Sequence, residues 1–217
     1  MGTQGTSKPE SEPRRRILDA AALVFAEHGF EGAGVDEIAA RASVNKAMLY
    51  YHVGDKATLY GAVTTEFIGR MRAEVERRLA GVEDPRDKIR AVQRAFLELF
   101  HAYPHYPQLM QRELADGGTH LPPEALASMA AVMRITRSIV EEGRRAGVFR
   151  EVHPLLAHLL LVASAMFIMN AQRLRGRLDE QGLLPSDTPP DLLSIADALA
   201  DVVLHGIAVE KKSGGKR

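Results

Sequence analysis

Lys46, Ala47, Tyr50 and Tyr51 share one face of a short helical segment, and a cation beside two phenols and a small residue suits a nucleic-acid surface. A lysine meets a phosphate or a guanine edge, phenol hydroxyls meet phosphate oxygens, and alanine permits close approach to a groove floor or a thymine methyl. Leu49 and Val53, four apart, fall on another side of the segment and are placed to anchor it. Asn45 has the chemistry to cap its start, and Ser43-Val44 supplies a turn before it. Upstream, Val35, Ile38 and Ala39 recur at i, i+3 and i+4, with Ala42 completing a small apolar edge. Ala39 to Lys56 therefore reads as a helix, a tight turn and a second helix with surface aromatics. The same geometry occurs in helical domains that bind no DNA, where the tyrosines would cover neighbouring helices and Lys46 would be one more solvated charge.

Other chemistry finds little support. His101 and His105 stand four apart, but Pro104 interrupts the helix between them and no carboxylate joins them at a metal-ligand spacing. His153 and His158, five apart, do not face together. Gly29, Gly32 and Gly34 punctuate a turn and form no phosphate loop, and no serine sits in a Gly-x-Ser-x-Gly elbow. The absence of cysteine removes disulfides and thiolate metal sites and fits a reducing cytoplasm. No metal, cofactor or catalytic centre is expected.

The elements that must position these residues are helical throughout. Periodicity and breaks place helices near 14–29, 35–42, 46–52, 55–80, 86–102, 106–116, 122–146, 154–176 and 191–209, an all-α chain of about nine helices. Residues 1–13 and 211–217 read as disordered or frayed tails. The 217 residues carry no net charge, and residues 1–60 hold seven Lys/Arg against eight Asp/Glu, which argues against binding by bulk electrostatics. Distribution matters more: Arg41 to Tyr60 holds three basic residues and one acid, and Arg14-Arg15-Arg16 form a cationic cluster where the first helix begins. The most apolar run, Leu155 to Met169, contains His158 and Ser164 and reads as a buried helix rather than a membrane span or a signal peptide.

Farther along, Ile89, Val92, Phe96, Leu99 and Phe100 line one helix face, and Met129, Met133 and Val140 recur on another. Such residues build either a plain core or the wall of an apolar cavity, and Met110, Met133, Met166 and Met169 would suit a cavity that accepts varied hydrophobic ligands. Asn170 and Gln172 offer a polar contact there, or at an interface, or in solvent. The helix near 154–176 carries two apolar stripes, Leu156-Leu160-Ala163-Phe167-Asn170 and Leu155-Leu159-Val162-Met166-Met169. With the apolar helix near 191–209 these exceed what one bundle needs, and a second copy of the chain would cover the excess in a four-helix contact.

Ile17, Ala21, Phe25 and Gly29-Phe30, followed in order by Val35, Ile38, Ala39, Val44, Leu49, Tyr50, Lys56 and Leu59, resemble the N-terminal domain of the tetracycline repressor (TetR) family of bacterial transcription regulators. The resemblance covers Arg14 to about Val63. It implies a helix-turn-helix DNA-binding domain at 14–60 and an effector-binding and dimerisation domain at 61–210. Lys46, Ala47 and Met48 would then lie near base edges; Tyr50, Tyr51 and His52 would touch the sugar-phosphate backbone; and Lys56 would hold a phosphate. Arg16, Gly34, Val35 and Asn45 complete the implied DNA contacts, and Phe96, Phe100, Met110, Met133, Met166, Met169 and Asn170 are the candidates for the effector. Gly34 stands where the family often has a capping threonine, and Ser43 replaces the usual turn glycine. Met48, a poor hydrogen-bonding reader, favours apolar contact or shape readout. The expected function is a cytoplasmic homodimeric regulator, most simply a repressor, that binds a double-stranded pseudopalindromic operator and is released by a small apolar effector, with no membrane partner. The alternative is a dimeric ligand-binding protein whose DNA-reading face has decayed.

Overall fold

Side-chain caps decide where most of the helices begin. In the computed structural model, which describes residues 12–183 and 191–208, the nine helices are α1 (Glu12–Gly32), α2 (Val35–Arg41), α3 (Lys46–Val53), α4 (Lys56–Leu79), α5 (Pro85–Ala102), α6 (Tyr106–Ala115), α7 (Pro123–Arg145), α8 (Pro154–Glu180) and α9 (Leu192–Ile207). Asn45 accepts a hydrogen bond from the Met48 N–H at 2.7 Å, Asp55 from Thr58 at 2.7 Å and Asp84 from Arg86 at 2.7 Å. Asp191 accepts from both Leu193 and Ser194, at 3.0 and 3.1 Å. Each bond satisfies an N–H that the first helical turn leaves unpaired. Only a backbone position, Gly34, opens α2, where no side chain caps.

Ser43 takes the left-handed conformation at φ 55°, so the turn keeps its geometry without glycine. Glu12 and Pro13 belong to α1, which corrects the expected 1–13 tail; residues 1–11 and the 211–217 tail lie outside the described residues.

Two packed regions share α4. Its first turns join Ile17, Val24, Phe25, Ile38 and Leu49 in the core of the helix-turn-helix unit. Its later turns, through Phe67, Met71 and Val75, pack into a bundle with Ile89, Val92, Phe96 and Phe100 of α5. A single helix thus joins the helix-turn-helix unit to the bundle through one continuous core. On the far side α5 is tied to α9: Arg94 donates two hydrogen bonds to Asp197, at 2.7 and 2.6 Å, and Arg90 pairs with Asp201 at 3.0 Å. Gly143 of α7 lies against the Phe149 ring, where a Cβ would fall 2.0 Å from a ring carbon, so this approach requires glycine.

The Leu155–Met169 run is not the buried helix that its composition suggests. Among the described helices α8 alone is long and apolar enough to cross a membrane, yet only part of it is covered. Its inward face is Ala157, His158, Leu161, Ala165 and Met166. Of the two predicted stripes, Leu156, Leu160, Ala163 and Phe167 face outward, and so does Leu155, whereas Leu159 and Val162 border a cavity against α4, α6 and α7. Alanines at 157 and 165 let the helix approach closely, a preference that a count of large apolar residues does not register. On α9, Val202 and Gly206 also face outward, while Ala196, Ala200, Val203 and Ile207 are buried.

Candidate nucleic-acid interface and apolar cavity

Leu49 and Val53 hold α3 against the core, and their burial turns the remaining residues outward. Tyr51 is 86% exposed, and Lys46, Ala47, Met48 and Tyr50 stand on the surface with it. His52 is half-buried, with its ring edge-on to Tyr51 at 5.2 Å. Arg16, Gly34 and Asn45 are exposed and Val35 is half-buried. Gly54, at φ 74°, makes the abrupt bend between α3 and α4. Arg41 fastens α2 to α1 by pairing with Glu27 at 2.6 Å, which holds the Glu27 carboxyl below its usual range, and it also pairs with Glu37 of its own helix at 2.7 Å.

Both lysines of this surface have partners within the chain. Lys46 Nζ lies 2.9 Å from the Asp36 carboxylate, which raises the pKa of the ammonium. Lys56 donates to the Glu31 carbonyl at 3.0 Å and sits 4.9 Å above the Phe30 ring. The spacing rules along one helix contain neither contact, because Asp36 and Glu31 come from other segments. An exposed ion pair such as Lys46–Asp36 contributes little stability in water, so opening it costs little.

A cavity of about 440 Å³ lies among α4, α6, α7 and α8, with one residue from α5. Of the residues proposed from sequence, Phe100, Met110, Met133 and Met166 line it. Phe96 does not: it is buried in the α5 core, its ring 6.0 Å from that of His158, which does line the space. Met169 and Asn170 lie beyond Met166, the last residue of α8 that lines the cavity, and neither belongs to the wall. All three were plausible by residue type; the path of α5 and α8 past the cavity excludes them.

Two titratable wall residues escaped sequence reasoning. His158 is buried and bonded through Nδ1 to the Thr136 hydroxyl at 3.1 Å, and desolvation holds its pKa below the ordinary histidine value. Glu113 of α6, only 2% exposed, accepts a 2.5 Å hydrogen bond from the Tyr60 hydroxyl of α4 through Oε1. The same oxygen lies 3.0 Å from His120 Nδ1. Burial and then the Glu113 bond push the Tyr60 phenol far above its ordinary pKa. His120 stacks on Phe30 at 4.4 Å, and Tyr60 meets Phe25 and Phe30 edge-on at 4.7 and 5.2 Å. Beside Glu113, Arg112 donates to the carbonyls of Ala26 and Glu27 at 3.1 and 3.0 Å. Adjacent residues of α6 therefore hold the cavity wall to α4 and to α1.

Comparison with known proteins supplies the context. Residues 17–63 match the model of the bacterial regulatory proteins of the tetR family, and residues 85–187 match that of a tetracyclin repressor-like C-terminal domain. The chain is 32% identical over 154 residues to the HTH-type transcriptional repressor SCO4008 of Streptomyces coelicolor, covering 70% of this chain and 76% of that protein. It is 38% identical over 95 residues to the HTH-type transcriptional activator FasR of Mycolicibacterium smegmatis, covering 44% of this chain and 43% of FasR. The fold superposes on FadR of Bacillus subtilis, solved in complex with stearoyl-CoA, with a TM-score of 0.69 at 19% identity, over 89% of this chain and 98% of that one. An outward-facing second helix of a helix-turn-helix, matched in sequence over the whole motif and joined to a helical bundle that matches the companion domain, places the chain in the tetR family of bacterial transcriptional regulators.

Proposed function

We propose that the chain is a homodimeric, cytoplasmic repressor that binds a pseudopalindromic operator and is released when an apolar effector enters the cavity. One observation supports this most directly: the cavity wall and the DNA-reading unit are hydrogen-bonded to each other, through Glu113 to Tyr60 and through Arg112 to the end of α1. In a two-fold dimer the two α3 helices would enter successive major grooves about 34–36 Å apart. The outward faces of α8 and α9 supply the apolar surface for that dimer. An effector that shifts α6 favours a geometry with the wrong half-site separation, and release follows from its differential affinity for the two states. The acyl-CoA complex of the FadR neighbour supports an effector with a long apolar body.

The test is equilibrium binding of the purified protein to the DNA flanking its own gene and to scrambled DNA, over a series of salt concentrations. Preference for the native fragment, with affinity falling steeply as salt rises, is the expected result. Equal, weak binding to both would favour a ligand-binding protein whose DNA-reading face has decayed.

A further inference from the structure

We infer that the effector carries a hydrogen-bond donor head, an amino or hydroxyl group on an apolar body, that pairs with Glu113, and that carboxylate heads are rejected. The inference rests on the reading of the cavity as the effector site. Among the described residues no lysine or arginine lines the cavity; the titratable wall residues are Glu113 and His158, and His158 is buried with its pKa depressed. An anionic head would enter apolar surroundings with no counter-charge and would face a carboxyl group. A donor head meets a different situation. Tyr60 and His120 both engage Glu113 Oε1, whereas Oε2 is buried with no hydrogen-bond partner. Buried polar atoms without partners are uncommon and call for an explanation, and a ligand donor supplies one. The terminal torsion of a glutamate is a soft, two-fold coordinate, so a modest turn of the carboxyl group presents Oε2 to a ligand in the cavity.

The position of Glu113 also gives the head group an effect. A donor that draws the carboxyl group inward competes with Tyr60 and His120, and these two side chains pack on Phe30 of α1. The apolar body of the ligand thus supplies affinity, and its head is read at the joint between the cavity and the helix-turn-helix unit.

The test uses the full chain and Nile red, an uncharged apolar dye without a donor, displaced by decylammonium, decanol or decanoate. These share one hydrocarbon chain and differ in the head. The expected result is that the ammonium and the alcohol displace the dye at about tenfold lower concentration than the carboxylate. Glu113→Gln, which keeps the shape and an acceptor for Tyr60, is expected to bring the three within about threefold. The rank order on the unaltered protein stands without that variant should it fold poorly. Equal displacement by all three heads on the unaltered protein would leave the cavity reading intact and overturn the role of Glu113. Failure of Nile red to bind would overturn the cavity reading itself. Glu113, Asp116 and His120 offer ligand atoms within 4.8 Å of one another. Stoichiometric zinc retained after dialysis and lost in Glu113→Gln would assign the carboxyl group to a metal and would also overturn the proposal.

Discussion

Tyr60 of α4 and Glu113 of α6 share a buried 2.5 Å hydrogen bond although fifty-three positions separate them in sequence. Tyr60→Phe removes the donor and leaves Glu113 with His120 as its remaining side-chain partner. The variant is expected to lose about 1–2 kcal/mol in urea unfolding. It is also expected to weaken the response of operator binding to an effector more than it weakens operator binding itself. Equal stability in the variant would show that the bond contributes nothing net.

The same phenol sets an alkaline limit. Burial raises the pKa of Tyr60 and of Tyr106 in the folded chain, whereas an unfolded tyrosine ionises near pH 10. Above that pH the unfolded state binds fewer protons than the folded one, so stability falls as pH rises. Urea midpoints across this range should show the decline, and replacing either tyrosine with phenylalanine should reduce its slope.

His158 sets the acid counterpart. Its pKa is depressed by burial below 6.5, so the unfolded chain takes up the proton first and stability falls as pH drops below that value. His158→Gln should flatten the acid limb of the stability profile, read from thermal melts between neutral and mildly acid pH.

On the proposed DNA face, Tyr51→Ala should weaken operator binding by about tenfold without moving the melting temperature, because the side chain is almost wholly exposed. Asp36→Asn should act oppositely. It releases Lys46 from its ion pair and removes a negative charge beside the proposed phosphate track, so affinity should rise and its salt dependence steepen. Lys56→Ala is a less clean probe, since it also removes the bond to Glu31 and the contact with Phe30.

Phe167→Glu and Val202→Glu place charge on side chains that are 69% and 71% exposed in the single chain. Sedimentation should find both variants monomeric and the unaltered protein dimeric. A dimer that survives both substitutions would place the interface elsewhere.

The helix-turn-helix was legible because its signals are local. Asn45 caps the residue three ahead of it, Leu49 and Val53 anchor at one helical repeat, and Ser43 occupies the turn. What the sequence hid is non-local. The partners of Lys46 and Lys56 lie on other segments, and Phe96 resembles Phe100 in type but faces the core instead of the cavity. Glu113 gave no signal at all, since a glutamate within an amphipathic helix usually marks the wet face. On α8 large apolar residues misled: the inward ridge is built from Ala157, Leu161 and Ala165, and the bulkier leucines beside it face out.

That outward ridge ties the folding of the chain to its abundance. A leucine-rich surface left uncovered in one copy is expected to lower the solubility and stability of the single chain, so that mass action would set how much of it is folded. Melting temperature should climb with protein concentration. In a cell that makes few copies, the supply of new chains would limit how quickly the regulator could be re-established after dilution by growth.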